Sequence, residues 1–573
     1  MVHNQQKTKK FINSPEDAVD QSLQGVVLST DAARFHESNC RVVLRSDLSY
    51  HLHRERVALI AGGGSGHEPY AAGYIGRGFL TAAVAGNVFA SPPSKHVQDA
   101  LEATRGNGGA ILFVINYTGD RLNFGLAAER FKAENGVVEI VTIGDDVAIK
   151  EPNPRVGRRG LAGAILILKI AGAMAESNLT LQQISNFGRE INNNLGTFGV
   201  SLYPCSLPGK GPMFRLEEDK MEVGLGIHGE SGRRRENAKS AREVATALMK
   251  DISECLRLKK DEPTCVLLNN LGSVSQLEMN ILTAEIIQWA RNAEFVIKRF
   301  YSGTFLTSLD GHGISITILR VYDENLLAYL DAPTNAPAWR PSTVTEVDYT
   351  KLDLKTKEEE KQVKETDEMK DANPTADGNL VERMMESVCE EMKKREDELN
   401  RLDGAAGDGD SGSTFASAAK AIYNAKDKLD FAHPYRLLRQ VSEIFEESVG
   451  GTSGAIYALM LSTASTEFKE SVSKESCISA LKQANEAVQK YGGARPGDRS
   501  MVDALNAACQ SLEEEGNWLK AVEDAMRAAE ETAGQRANVG RASYTSEQVQ
   551  SEPDAGAKAV AYWLEALWKA VSK

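Results

Sequence analysis

Three carboxylates and a set of hydroxyls crowd one short stretch, Leu402-Asp403-Gly404-Ala405-Ala406-Gly407-Asp408-Gly409-Asp410-Ser411-Gly412-Ser413-Thr414. After Leu402 nothing in it is large enough to build a core. The glycine between Asp408 and Asp410 relieves backbone constraint, so two carboxylates can approach one point. Asp403 can swing in from the end of a preceding helix. Hard oxygen ligands gathered this way suit Mg²⁺, which takes a few carboxylates together with substrate phosphates. The chemistry on offer is metal and phosphate binding. A flexible acidic loop is the plainer alternative, and the stretch alone leaves both open.

The first half offers Gly62-Gly63-Gly64-Ser65-Gly66-His67-Glu68-Pro69. Consecutive glycines let backbone N–H groups face a small polar ligand closely. No Gly-Lys-Ser/Thr follows, so this is not a Walker A loop. The dinucleotide fingerprint fails too, because its register carries Gly62, Gly64 and then His67. His67 in so tight a turn is a candidate functional residue, with local hydrogen bonding as the alternative. Asn116-Tyr117-Thr118-Gly119-Asp120 ends a probable strand, so Asp120 could share the same crevice or be an ordinary turn residue. In Gly226-Ile227-His228-Gly229-Glu230 a histidine lies between glycines. Its imidazole is expected to be accessible, able to act as a base or as a nucleophile toward a carbonyl.

The elements that must hold these residues differ between the two halves. Arg56–Ala61 runs into the glycine stretch, which could open a helix; Ala110–Ile115 runs into Asn116, and Val138–Ile143 into Gly144. Val223–Ile227 runs into His228, Cys265–Leu268 into Asn269, and Ile314–Leu319 completes the set. Buried strands followed by polar loops are the α/β pattern, with ligands at the carboxyl ends of the strands. Two α/β lobes over 8–338 are expected, with a boundary near 200. Residues 339–379 carry mixed charge and few large apolar residues. They read as a linker or as a charged helix projecting into solvent. From 380 to 573 apolar residues recur at helical spacing: Val381, Met384, Met385, Val388 and Met392, then Val560, Trp563, Leu564, Leu567, Trp568 and Val571. That part is expected to be all-helical, its tryptophans facing a core.

The chain has 573 residues and a net charge of −14. Length gives roughly three to four domains, and the acidic balance argues against a nucleic-acid or anionic-membrane binder. Seven scattered Cys with no CxxC pair fit reduced thiols rather than a disulfide scaffold or structural zinc. The N-terminus lacks the apolar run of a signal peptide, and no apolar stretch suggests a membrane span. A soluble cytoplasmic protein is expected.

GGGSGHEP, NYTGDRLNFGLA, GLGIHGE, GDGDSGSTF, GGTSGA, GARPGDRSMVDAL and GRASY occur in this order. On these motifs the chain resembles the single-chain ATP-dependent dihydroxyacetone kinases, a family that includes the animal triokinase/FMN cyclases. The resemblance covers essentially the whole chain apart from the linker. It implies a ketose-binding kinase domain of two α/β lobes, followed by an ATP-binding barrel of antiparallel helices. It implies that His228 binds the substrate carbonyl as a hemiaminal. Gly64, Ser65, Gly66, His67 and Asp120 would surround the substrate hydroxyls, with His67 and Asp120 assisting proton transfer. Asp403, Asp408 and Asp410 would hold Mg²⁺ (Mn²⁺ or Co²⁺ for a lyase activity). Asp408, Gly409, Asp410, Ser411, Thr452, Ser453, Gly492, Ser500, Met501, Asp554, Ala555 and Gly556 would line the ATP site. The active site would lie across the subunits of a homodimer.

The resemblance implies phosphorylation of dihydroxyacetone and glyceraldehyde. The alternatives are a cyclising FAD-AMP lyase giving cyclic FMN and AMP, and a non-catalytic ketose-binding regulator. Three positions depart from the family pattern: Ile115 in place of a substrate-contacting Lys, Ala555 in place of a Pro, and Gly311-His312-Gly313.

Overall fold

The computed structural model describes residues 8–149, 155–229, 232–352, 374–405, 407–539, 543 and 551–572. The chain divides into two compact units, Met1–Glu360 and Lys361–Lys573. The first contains two six-stranded sheets and the second is helical.

The first sheet runs in the order Ala33–Phe35, Val42–Arg45, Ala82–Val88, Ala58–Ser65, Ala110–Ile115, Val138–Ile143. The last four are mutually parallel, so their carboxyl ends open on one edge, where a parallel sheet binds ligands. Ala110–Ile115 is buried at every position, which is why its sequence is one continuous apolar run rather than an alternation. Helices Ser94–Ala103 and Thr118–Ala133 supply the core on one face. Helix Ala164–Glu176 supplies the other, with twelve buried residues.

The second sheet runs Val296–Gly303, Pro263–Asn270, His312–Arg320, Leu195–Tyr203, Lys220–Val223, Arg234–Asn237. Only its first pair is parallel. Two expectations need correction. The strand expected over Val223–Ile227 stops at Val223, because Gly224 takes φ +77° and turns the chain away. The glycine stretch does not open a helix either. Gly62 to Ser65 continue the strand, since a Cβ at Gly62 would land on the Val84 carbonyl oxygen of the neighbouring strand.

Residues 339–352, at the start of the stretch read as a linker, pack against the first unit. Trp339 is buried, the Val347 N–H donates to Ile297 O at 2.9 Å and the Tyr349 hydroxyl to Phe295 O at 2.5 Å. Residues 353–373, where a projecting charged helix was the alternative, lie outside the described residues.

In the second unit, helix Gly378–Lys394 packs on both Ser411–Ala425 and Ala555–Ser572, so the first helix neighbours the last. Most of the apolar stripes read from sequence face this core: Met392, Val560 and Leu564 are buried, and Val381, Met385, Val388, Trp563 and Trp568 pack against it. Val571, at the end of the last helix, is instead exposed. All seven cysteines are free thiols. Among the described residues no helix is long and apolar enough to cross a membrane.

Candidate active site

Glycine is required in the loop around His67 for steric reasons. A Cβ on Gly64 would sit 2.7 Å from Ala90 N, and one on Gly66 2.8 Å from the Phe89 ring. Gly66 also has φ +99°, a conformation that costs little only for glycine. The turn is pinned by Glu68, whose carboxylate accepts the Gly66 N–H at 3.0 Å, and by Tyr70, whose hydroxyl donates to Gly62 O at 3.0 Å. The second lobe closes over it: Leu309 N donates to Gly66 O at 2.8 Å and the Thr307 hydroxyl to Glu68 O at 2.8 Å. His67 is buried and its Nδ1 lies 2.9 Å from Thr307 O, which makes it a donor there.

The structure brings His67, Asp120 and His228 together. The His228 ring stands edge-on to three others: Tyr117 at 4.7 Å, His67 at 4.9 Å and Phe89 at 5.1 Å. His67 and Phe89 are themselves stacked at 5.0 Å. Asp120 lies in the first turn of helix Thr118–Ala133, with its carboxylate against the Gly63 backbone. It is 7% exposed, and its Oδ1 is buried with no hydrogen-bond partner among the described residues. Burial raises its pKa above the usual carboxylate value, while a hydrogen bond from Ser91 and the nearby His228 pull the other way. A buried acceptor left without a partner costs stability unless a ligand completes it.

Ser65 uses its hydroxyl within the fold, donating to Gly86 O at 2.9 Å. Ile115 is 3% exposed and belongs to the core, so it contributes packing where a lysine would contribute a donor. His312 pairs with Glu278 at 3.1 Å and lies against Tyr203. Phe89 and Tyr117 were not singled out in the sequence reading. Tyr117 lies inside a motif already flagged, whereas Phe89 has no local signature.

In the second unit Asp403 does lie at the end of a helix, Glu396–Gly404. Its Oδ2 accepts the N–H groups of Gly409 at 2.9 Å, Asp410 at 3.0 Å and Ser411 at 3.3 Å. That fan of bonds curls the loop so that carboxylate oxygens of Asp403, Asp408 and Asp410 lie within 4.8 Å of one another. Among the described residues no other acidic, His or Cys group gathers in this way. Three hard oxygens on a partly exposed loop fit Mg²⁺. Asn400 supports the turn from the same helix, accepting from Ser413 N at 3.0 Å, and sequence reasoning gave no sign of it.

Most of the residues expected around ATP fall in the opening turns of helices or just before them. Ser411 begins Ser411–Ala425, and Thr452 and Ser453 follow the start of Gly451–Ser465. Ser500 caps Met501–Glu515, and Asp554 precedes Ala555–Ser572 while accepting Ala557 N at 2.8 Å. Helix N-termini present unpaired N–H groups and favour anions. Ala555 is the first residue of its helix, a position that suits proline but does not require it. Gly556 lies against Met501. Burial pushes Asp554 up to about 6, with Arg499 opposing and Asp503 and Asp403 reinforcing the rise. Gly492 is the exception, closing helix Lys474–Gly492.

The model of the Dak1 domain matches residues 24–338 and that of the DAK2 domain residues 405–569. The chain is 40% identical to the triokinase/FMN cyclase of Rattus norvegicus, over 98% of each chain. The crystal structure of the native dihydroxyacetone kinase of C. freundii is 31% identical, covers 99% of this chain and 100% of that one, and has a TM-score of 0.66. The same enzyme in complex with AMP-PNP and Mg²⁺ gives 0.64 at the same identity and coverage. A Dak1 domain followed by a DAK2 domain defines the class of the molecule. The chain belongs to the dihydroxyacetone kinase family, an enzyme family, in its single-chain form.

Proposed function

We propose that this chain transfers the γ-phosphoryl group of ATP to dihydroxyacetone and glyceraldehyde, with the carbonyl compound held covalently on His228. The observation that carries this reading is the enclosure of the His228 imidazole by His67, Phe89 and Tyr117. It is reinforced by the buried, incompletely bonded Asp120 carboxylate close by. A triose has little apolar area, so a reversible covalent bond is an effective way to gain affinity. It also separates carbonyl compounds from glycerol. In the addition, one imidazole nitrogen bonds to the carbonyl carbon, the C=O π bond opens, and the oxygen takes up the proton that the ring releases. Asp120, its basicity raised by burial, accepts the proton of the attacking hydroxyl, assisted by His67. The new O–P bond forms as the bond from the γ-phosphorus to ADP breaks.

Asp403, Asp408 and Asp410 would hold Mg²⁺, which supplies charge neutralisation for the nucleotide phosphates. Ser411, Thr452 and Ser453, at helix N-termini, position those phosphates with hydroxyl and backbone donors. A homodimer with the site shared between subunits is the assembly this reading adopts. A second reading, cyclisation of FAD to cyclic FMN with release of AMP, is favoured by the 40% identity to a triokinase/FMN cyclase. It would use the same aspartates. The test is an ATP-coupled assay with dihydroxyacetone beside an FAD assay, each in Mg²⁺ and in Mn²⁺. Triose-dependent ADP release supports the kinase reading, and its absence under all conditions refutes it.

A further inference from the structure

His228 lies on a loop, and a reacting atom has to be held within about half an ångström of its productive position. The strand feeding this loop ends at Val223. The turn is made at Gly224, whose N–H donates to Gly199 O at 2.7 Å. The Gly224 carbonyl is held by Arg159 Nη2 at 2.7 Å. Arg159 is held in turn by Asp146, which is fully buried: Nε donates to Oδ2 at 2.7 Å and the guanidinium ion pair closes to 2.6 Å. Asp146 is fixed by two further bonds, Ala148 N to its Oδ1 at 2.8 Å and its own N–H to Arg159 O at 3.0 Å.

Between Gly224 and His228 the side chains of Leu225 and Ile227 are buried. Packed side chains transmit a displacement rather than absorb it. Ile227 N also reaches the Tyr117 hydroxyl, at 3.4 Å, and Tyr117 is the ring nearest His228. The guanidinium fork can hold a carboxylate and a carbonyl at once, which a lysine ammonium on a flexible stem does poorly.

We propose that Arg159, oriented by Asp146, is the positioning residue that fixes the turn at Gly224 and so holds the His228 loop in place. This rests on His228 being the carbonyl ligand. The Arg159 side chain acts through its bonds to Asp146 and the Gly224 carbonyl. Its effect is on where the imidazole stands, so it governs triose capture and leaves nucleotide binding in the helical unit alone.

The test uses the full chain with [2-¹³C]dihydroxyacetone and ¹³C NMR, in which adduct formation converts the carbonyl carbon to a protein-bound tetrahedral one, distinguished from the free hydrate and dimer by its absence from a protein-free sample. In wild type the tetrahedral signal appears. In Arg159→Met it is lost and KM for the triose rises by about a hundredfold, the scale of an ångström misplacement, with KM for MgATP unchanged. Arg159→Lys keeps the charge and gives an intermediate loss of adduct at an unchanged Tm. A folded Arg159→Met with wild-type adduct and triose KM overturns the proposal. If Arg159→Met does not fold, Arg159→Lys decides: wild-type adduct in that variant overturns it equally. A wild type with no tetrahedral signal refutes instead the covalent role of His228, and with it the role given to Arg159.

Discussion

Asp120→Asn separates catalysis from architecture, because the two respond in opposite directions. The swap keeps size and shape but removes a proton acceptor. The Asp120 carboxylate is buried, with one oxygen unpartnered among the described residues. An unsatisfied buried polar atom costs about 1–3 kcal/mol, more when charged. Replacing it by a neutral amide is therefore expected to stabilise the first unit by about 1 kcal/mol, a rise in Tm of about 2 °C. The raised pKa gives the same sign. The folded state prefers the protonated acid, so this group's contribution falls as pH rises past its unfolded value. Catalysis goes the other way. Loss of a general base lowers rate by about 10²–10⁴, and kcat with saturating MgATP and triose should fall in that range. The assay is coupled ADP release beside a melting curve on the same preparation. A variant that keeps kcat within about tenfold of wild type refutes the proton-transfer role. A variant that loses activity together with several degrees of Tm shows that Asp120 is structural.

Asp408→Ala combined with Asp410→Ala should abolish kinase turnover and any FAD cyclisation, with loss of Mn²⁺ binding seen by electron paramagnetic resonance; retained turnover would place the metal elsewhere. Gly64→Ala drives a methyl group into the backbone at Phe89 and Ala90, an overpacking cost of about 1–3 kcal/mol. It should raise triose KM at least about tenfold without changing MgATP KM. His51 supplies a pH test. It accepts from Arg45 at 2.8 Å and donates to Val57 O at 3.1 Å, and burial lowers its pKa to about 4. The unfolded chain therefore binds the extra proton between about 6.5 and 4. The stabilisation is present above that window and lost as pH falls through it, by about 3 kcal/mol. The Tm advantage of wild type over His51→Gln should shrink steadily from pH 7 to pH 4, and a flat difference would refute the assignment.

Strands Ala110–Ile115 and Val138–Ile143 were legible to the residue, because each is a largely apolar run closed by Asn or Gly. The aspartate loop was legible for a similar reason. Its spacing is local, and Asp403 needs only the helix end that its own sequence forms. What stayed hidden depends on residues far apart in sequence. The strand through Gly62 to Ser65 survives because neighbouring backbone at Val84 and Ala90 leaves no room for side chains, which no local pattern reveals. Gly224 reads like any strand glycine until the carbonyl tie to Arg159, 65 residues away, fixes the turn there. Phe89, with its φ of +56°, meets His67 and His228 only through the fold. Edge strands such as Ala33–Phe35 and Arg234–Asn237 are too short to carry a periodic signal.

The central claim is that a histidine of the first unit captures the triose while the aspartate loop of the second holds the nucleotide. The direct measurement is dihydroxyacetone-dependent ADP release by His228→Ala, with Mg²⁺-dependent nucleotide affinity measured on the same sample. The account predicts that phosphorylation disappears while nucleotide affinity stays at the wild-type value. Full kinase activity in His228→Ala would contradict it.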